Sequence, residues 1–568
     1  MQTIRPTALL AAGALALGVL ASATNATAAP PSSATASAHP SSVGARALKP
    51  ATSFTMTVHQ DGSVATPTNG DKIPNIDSVK STLRAYYGTG ATKQTDPAHA
   101  FSDLAPATTY LPNLTTSPYA KNTEAVADKI LAALPNPAPA NTAVVFDVDS
   151  TLLSDYGNEE DSNFNYSAAL NEVWVDHELF PAVAGMPALL RKLNSEGYKL
   201  YGITGRPGAQ EADTIGNLTK TGYTTDGTAS GTPLFNAANL YTKDVASQPW
   251  VDCNLDGNSA CSTVEYKALT RQHIQTTDGV HIAMNVGDQW SDLEGGYAAA
   301  FTKLPNPSYF LPSADIPGAP ARDRSMVLPS TYTMKANGST GRTATNGDAL
   351  PNEGAVVSEI RAYYNATDGI ASKTSSPYIK QMKKLSRKWT KKLVPTCRTA
   401  VRRHQRPAVV FDVDDTTLWT YDMEDGAMGF AFDPALQNTW VKGKKFAAVP
   451  AMVKLEKKVK KAGCTVVGLT GRTKDQGKAT LKNLKKVGYK GFAKKRFFFK
   501  PKAGKKFPKY LKCKKSCTTV QFKSGTRKYL EKKRHFRIVA NLGDQFSDLK
   551  GGHAKKKIKL PNPTYYLP

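Results

Sequence analysis

AVVFDVDSTLL, residues 143–153, is an apolar run that ends abruptly in two carboxylates, Asp147 and Asp149, before Thr151 leads back to apolar residues. The same wording returns at 408–418 as AVVFDVDDTTL, with Asp412, Asp414 and Thr416. A run rich in valine and phenylalanine predicts a buried strand. Ending such a strand in two aspartates is costly unless a cation or a reaction uses them. Taken alone, Asp-x-Asp-x-Thr also suits a turn or a calcium loop, so its companions decide.

Those companions are duplicated too. Arg84-Ala-Tyr-Tyr87 returns as Arg361-Ala-Tyr-Tyr364, and Gly202-Ile-Thr-Gly-Arg206 as Gly468-Leu-Thr-Gly-Arg472. VEYKALTR (264–271) returns as VQFKSGTR (520–527), NVGDQWSDLEGG (285–296) as NLGDQFSDLKGG (541–552), and LPNPSYFLP (304–312) as LPNPTYYLP (560–568). Order is kept and the spacing drifts only by loop-sized amounts, which marks a tandem duplication of a whole domain. The expected layout is a signal peptide over 1–28, a Ser/Ala/Pro-rich segment without fixed structure over 29–73, a first domain over 74–312, a linker over 313–350 and a second domain over 351–568.

Within each copy, short apolar runs such as Val144–Phe146, Lys199–Ile203 and Ile282–Val286 alternate with helical patterns such as Pro187–Glu196. That alternation predicts an α/β fold with a parallel sheet flanked by helices. In such sheets the active site lies beyond the carboxyl ends of the strands, where Asp147, Thr204 and Asp288 fall. Ser262-x-x-Glu265 and Thr518-x-x-Gln521 read as capping boxes. They open helices that carry Lys267 and Lys523 in the first turn, with Arg271 and Arg527 on the same face.

These parts suit phosphoryl transfer. Asp147 is placed to attack phosphorus, and Asp149 to protonate the leaving alkoxide and then activate water. Thr204 and the backbone of Gly205 suit phosphate oxygens, and Lys267 opposes their charge. Asp288 and Asp292, four apart after a glycine, offer oxygen ligands to a hard cation such as magnesium.

The order DxDxT, TGR, YKxxxR and GDxxxD resembles the haloacid dehalogenase-like (HAD) superfamily, and most nearly its class B and plant-type acid phosphatases, which include vegetative storage proteins. The resemblance covers about 140 to 170 residues of each half. It implies two tandem Rossmann-like (HAD-type) domains, each with a small cap insert, and a magnesium-dependent phosphomonoesterase acting through an aspartyl-phosphate. Asp147 would be the nucleophile and Asp149 the general acid and base, with Thr204 and Lys267 on the phosphate. Magnesium would be held by Asp147, the Asp149 carbonyl and Asp288, with Asp292 close by. In the second copy these roles fall on Asp412, Asp414, Thr470 with Gly471, Lys523, Asp544 and Asp548. The substrate would be a small phosphate monoester. The alternative is that the second copy, or both, acts as a non-catalytic module for polyanion or cell-surface binding or for storage.

Between the first two motifs lie Phe164–Trp174 and Phe430–Trp440, read either as a cap over the pocket, with Tyr156, Trp174, Tyr421 and Trp440 as candidates, or as a helix packed in the core. The N-terminus has Arg5, an apolar stretch from Ala8 to Leu20 and Ala26-Thr27-Ala28, the pattern of a secretory signal. No internal apolar run is long enough to span a membrane. Six cysteines in an exported chain favour bridges, with Cys253–Cys261, Cys513–Cys517 and Cys397–Cys464 as the pairs, against free buried thiols. The net charge of +27 is uneven: residues 1–340 hold 21 Lys and Arg against 30 Asp and Glu, whereas 341–568 hold 52 against 16. Such a basic half would attract polyanions, nucleic acid or wall polymer, or is simply a solvated lysine-rich surface.

Overall fold

The computed structural model describes residues 54–57, 68–255, 257–311, 315–319, 331–334, 350–505, 507–513 and 516–567. The signal peptide expected over 1–28 lies outside the described residues, as do most of 29–73 and 313–350.

The first half forms a five-stranded sheet from β1 (Thr142–Phe146), β2 (Lys199–Pro207), β3 (Leu240–Lys243), β4 (His281–Gly287) and β5 (Ala300–Lys303), in spatial order β3-β2-β1-β4-β5. Every pairing is parallel. Val144 and Phe146 of β1 enter one core cluster, while Ala143 and Val145 enter another. A strand with apolar packing on both faces has no polar face to show, which is why its sequence runs apolar instead of alternating. The second half repeats the sheet with β6 (Arg406–Phe411), β7 (Thr465–Thr473), β8 (Phe497–Lys500), β9 (Phe536–Gly543) and β10 (Lys557–Lys559), in order β8-β7-β6-β9-β10. Again all pairings are parallel. This is the expected α/β architecture, built twice. In both sheets the strand order reverses beside the central strand, β1 or β6, and a crevice opens there at the carboxyl ends.

Four helices matter for the sites: α1 (Ile76–Tyr87), α2 (Thr263–Thr277), α3 (Glu353–Tyr364) and α4 (Thr519–Lys532). The two capping boxes are formed. The Glu265 amide donates to Ser262 Oγ at 3.1 Å and the Ser262 amide to Glu265 Oε2 at 2.8 Å. Thr518 and Gln521 make the same pair at 3.1 and 2.9 Å. These bonds satisfy amides that a helix start leaves open, and they fix where Lys267 and Lys523 leave their helices.

The helices that open the two halves exchange contacts. The Ile76 amide of α1 donates to Pro563 O in the second half at 3.3 Å, and the Glu353 amide of α3 donates to Pro307 O in the first at 2.9 Å. Asn352 Nδ2 adds bonds to Asn306 O and Tyr309 O at 2.9 and 2.6 Å. Ahead of these helices, Phe54–Thr57 pairs antiparallel with Thr331–Met334, Thr55 opposite Thr333. So the segments read as unstructured and as linker each contribute a strand. The repeated Arg84 and Arg361 stay within their own halves, where each grips a carboxylate, Glu160 at 2.7 Å and Asp425 at 2.8 Å.

Glu359 on α3 is 5% exposed, and burial alone pushes its carboxyl from 4.5 up to about 7. A raised carboxyl costs nothing below pH 4.5, where folded and unfolded chains are both protonated. The cost grows as pH rises toward 7 and is full above it. Glu359→Gln is therefore expected to stabilise the chain by about 1–2 kcal/mol at pH 8 and to leave it unchanged near pH 4. Urea unfolding at the two pH values reads this directly.

The lysines of the basic half lie mainly on outer helix faces. Lys383, Lys384, Lys388, Lys454, Lys457, Lys458, Lys482 and Lys485 are all exposed.

Candidate active site

Immediately after β1 the chain turns back on itself. Ser150 takes a φ of 54°, and Asp415 one of 45° at the same place after β6. Left-handed backbone is strained for these residues. The turn is held because the Leu152 and Leu153 amides both donate to Val148 O at 2.8 Å. As a result Asp147 and Asp149 both reach the mouth of the crevice between β1 and β4.

Asp147 is buried, and Lys267 Nζ donates to its Oδ1 and, at 2.7 Å, to Asp292 Oδ1. Lys523 joins Asp412, at 2.6 Å, to Asp548 in the same way. Asp149 is gripped by Arg206, whose Nη2 lies 2.7 Å from Oδ1 and whose Nε lies 3.1 and 3.2 Å from the two oxygens. Arg472 holds Asp414 likewise, at 2.6 Å. Thr204 is fully buried. Its hydroxyl donates to Asp149 Oδ2 at 3.4 Å and accepts from the Arg206 amide at 3.2 Å. Thr470 accepts from the Arg472 amide at 3.1 Å. Next to them, Gly205 and Gly471 each have open space where a side chain would stand, and Gly471 lines the cavity of the second site.

Asp288 follows β4 and accepts from Thr151 Oγ1 at 3.2 Å, Gln289 Nε2 at 2.7 Å and Asn306 Nδ2 at 2.7 Å. Its counterpart Asp544 accepts from Thr416, Gln545, Asn562 and Tyr565. Asp292 accepts from the Gln289 amide at 2.8 Å. A Cβ on Gly287 would come within 2.5 Å of Asp292 Cβ, and one on Gly543 within 2.4 Å of Asp548 Cβ. Only glycine lets the two aspartates of this motif close on one another. Arg271 does not face the cluster. It is buried and donates to the carbonyls of Gly296, Asp292 and Glu294, clamping the loop that carries Asp292.

The electrostatics are strained toward negative charge. Burial pushes the Asp147 carboxyl well up, and Asp292 adds to this against the pull of Lys267. Asp288 is pushed up to about 6 by burial and then by Asp292, and Asp544 to about 6 by burial and Asp548. Burial opposes the charge on Lys267, but Asp147 and Asp292 outweigh it and hold the ammonium above its ordinary range. Asp147, Asp288 and Asp292 each bring a carboxylate oxygen within 4.8 Å of the others, as do Asp412, Asp544 and Asp548. Four carboxylates, with Asp149, face two cations, Lys267 and Arg206. An all-oxygen donor set with that excess fits a hard divalent cation.

Three further pairs belong to the sites and were not singled out in the sequence. Arg206 and Arg472 were visible only as the last letter of TGR. Asn306 and Asn562 sit in the repeated LPNP. Glu159 and Glu424 are buried beside the aspartates, and Glu424 lines the second cavity; nothing in their local sequence marks them. The aromatic candidates fare differently. Trp174 is 1% exposed, packs on Phe180 and donates to Asp161 Oδ2 at 3.2 Å. Tyr156 stacks on Tyr87 at 3.7 Å, Tyr421 packs tilted on Tyr364 at 4.1 Å, and Trp440 packs on Phe446. Phe430, Phe432, Gln437 and Asn438 of the expected cap do line the second cavity.

Comparison with known proteins identifies the family. The model of the HAD superfamily, subfamily IIIB (acid phosphatase), matches residues 102–312 and again 347–568. The stem 28 kDa glycoprotein of Glycine max is 32% identical over 168 residues, 29% of this chain and 61% of its own. Acid phosphatase 1 of Solanum lycopersicum is 33% identical over 165 residues, 28% of this chain and 60% of its own. The chain thus spans about three fifths of the length of these relatives. A solved class C acid phosphatase from Bacillus anthracis aligns with 33% of this chain and 80% of its own at 22% identity, with a TM-score of 0.26, from which nothing is inferred. With the family model matching both halves, the chain belongs to the HAD superfamily, subfamily IIIB, the acid phosphatases.

Proposed function

We propose that the chain is a secreted phosphomonoesterase with two active sites, each using the first aspartate of its Asp-x-Asp pair as nucleophile. The observation that carries this is the duplicated convergence of Asp147, Asp149, Lys267, Asp288 and Asp292 at the ends of β1 and β4. An Asp147 oxygen attacks phosphorus, and the bond from phosphorus to the ester oxygen breaks. Asp149, aimed by Arg206, gives its proton to the departing alkoxide. It then takes a proton from the water that attacks the aspartyl-phosphate, which releases phosphate and restores Asp147. Lys267 and the amide of Gly205 balance the phosphoryl oxygens. A divalent cation, magnesium in this proposal, would be held by Asp147, the Asp149 carbonyl and Asp288, with Asp292 close by, and would supply positive charge against the anionic nucleophile and phosphate. The second site assigns the same roles to Asp412, Asp414, Lys523, Gly471, Asp544 and Asp548.

Secretion is supported by the leader pattern and by three disulfides, Cys253–Cys261, Cys397–Cys464 and Cys513–Cys517, which leave no free cysteine among the described residues. No described helix is long and apolar enough to cross a membrane. The test is hydrolysis of 4-nitrophenyl phosphate by the full chain before and after chelation. Removal of metal is expected to lower turnover by roughly 10²-fold or more, and added magnesium to restore it. A chain shown by elemental analysis to be metal-free, yet turning over at its full rate, would refute the metal assignment. No hydrolysis of any aryl phosphate would refute the activity.

A further inference from the structure

The second site opens into a cavity of about 760 Å³, far larger than a phosphate group needs. Its walls are divided by charge. Its cationic lining is Lys523, which bonds Asp412, with Arg472, Lys500 and Lys502; Lys500 donates to Thr519 Oγ1 at 3.3 Å. Glu424 and Asp77 are carboxylates that also line the cavity. Glu424 is 6% exposed, and among the described residues its carboxylate has neither a hydrogen-bond donor nor an ion-pair partner. Asp77 comes from the other half of the chain. It sits in the first turn of α1, which the Ile76 amide docks on Pro563 O. The Tyr566 amide donates to its Oδ2 at 2.9 Å, and its side chain is open to the cavity. Lys80 and Arg84 offset part of its charge without bonding to it; the Lys80 ammonium donates to Asn163 and Phe430 O and lies 3.9 Å from Glu353. The aromatic faces of Phe430, Phe432 and Tyr565 complete the lining, and such faces attract cations.

The first site differs at this place. Aligning TNGDKIPNID (68–77) with TNGDALPNEG (345–354) sets Gly354 opposite Asp77. The structure agrees, since a Cβ on Gly354 would lie 2.9 Å from the amide of Phe310, the counterpart of Tyr566. Glu159, Phe164 and Tyr166 stand where the second half has Glu424, Phe430 and Phe432. The first site instead receives Glu353 of the other half, which is buried near Glu159 and lies 3.9 Å from Lys80, so an exposed acid that lines the cavity, Asp77, is what sets the second site apart.

We infer that Asp77, contributed by the first half, acts with Glu424 as a specificity residue of the second site, selecting phosphomonoesters whose alcohol carries an ammonium group. The phosphate end meets Lys523 and Arg472, and the ammonium end meets Asp77, Glu424 and the aromatic faces. This inference rests on the phosphomonoesterase reading above.

The test uses the full chain carrying Asp147→Asn, so that turnover reports the second site. Two esters of equal size are compared, 2-aminoethyl phosphate and propyl phosphate. The amino ester is expected to be preferred in kcat/KM by about tenfold or more, the scale of one close charge pair. Adding Asp77→Asn, which keeps the acceptor for the Tyr566 amide, should shrink that preference by about tenfold, chiefly through KM. Glu424→Gln should shrink it as well. Equal rates on the two esters, or a ratio that neither variant moves, overturn this inference while leaving the phosphomonoesterase reading intact. Hydrolysis of neither ester overturns both.

Discussion

A chain carrying Asp147→Asn and Asp412→Asn together is expected to lose at least about 10³-fold in kcat on an aryl phosphate, because both assigned nucleophiles are then gone and the remaining carboxylates serve as acid, base or cation ligands. Each single variant should keep the share contributed by the other site. The fold should survive. Asparagine has the shape of aspartate, and Lys267 keeps its bond to Asp292 at 2.7 Å. Burial already disfavours charge at both positions, pushing each carboxyl well up, so neutralising it removes a cost of folding. The unfolding midpoint should therefore stay level or rise while activity disappears. A double variant that hydrolyses at the wild-type rate, or one that loses activity only by unfolding, would contradict the assignment.

The second large effect is on stability. Cys397 and Cys464 are bonded across 67 residues of chain, joining the long helix Pro377–Arg402 to the residue before β7. Closing a loop of that size removes a wide ensemble of unfolded conformations, so Cys397→Ala with Cys464→Ala is expected to cost about 3–4 kcal/mol. Urea unfolding with and without reductant measures it. The first half has Tyr198 where the second has Cys464. There the tie is a hydrogen bond from the Tyr198 hydroxyl to Pro135 O at 2.6 Å, and Tyr198→Phe should cost only about 1 kcal/mol. The two halves thus fasten the same corner by different chemistry. The other bridges span only 8 and 4 residues and should matter less.

Much of the site could be read from the chain because its signals are local. An apolar run that stops at two carboxylates marks a strand end whatever surrounds it, and Asp147 and Asp412 lie there. Ser262 with Glu265, and Thr518 with Gln521, cap helices through bonds three residues apart, so the caps were legible as well. What escaped depends on distance. Arg206 meets Asp149 across 57 residues, and nothing in TGR says what its arginine grips. Glu159 and Glu424 look like ordinary helix glutamates until the fold buries them. The exchange of α1 and α3 was harder still, since Asp77 and the Tyr566 amide are 489 residues apart. A trace of it was present, however. The repeat extends upstream through TNGD at 68–71 and 345–348, beyond the expected domain starts at 74 and 351. Of the two readings of the aromatic candidates, core packing fits Trp174 and Tyr156, whose polar handles bond inside the protein to Asp161 and Glu160.

The central claim is that each chain holds two aspartates that become phosphorylated during turnover. Rapid acid quench of the full chain with an excess of a radiolabelled aryl phosphate, followed by peptide mapping, tests it most directly. Label is expected in two peptides, one containing Asp147 and one containing Asp412, approaching one phosphoryl group each. Label on other residues, or on neither aspartate while phosphate is still released, would contradict it.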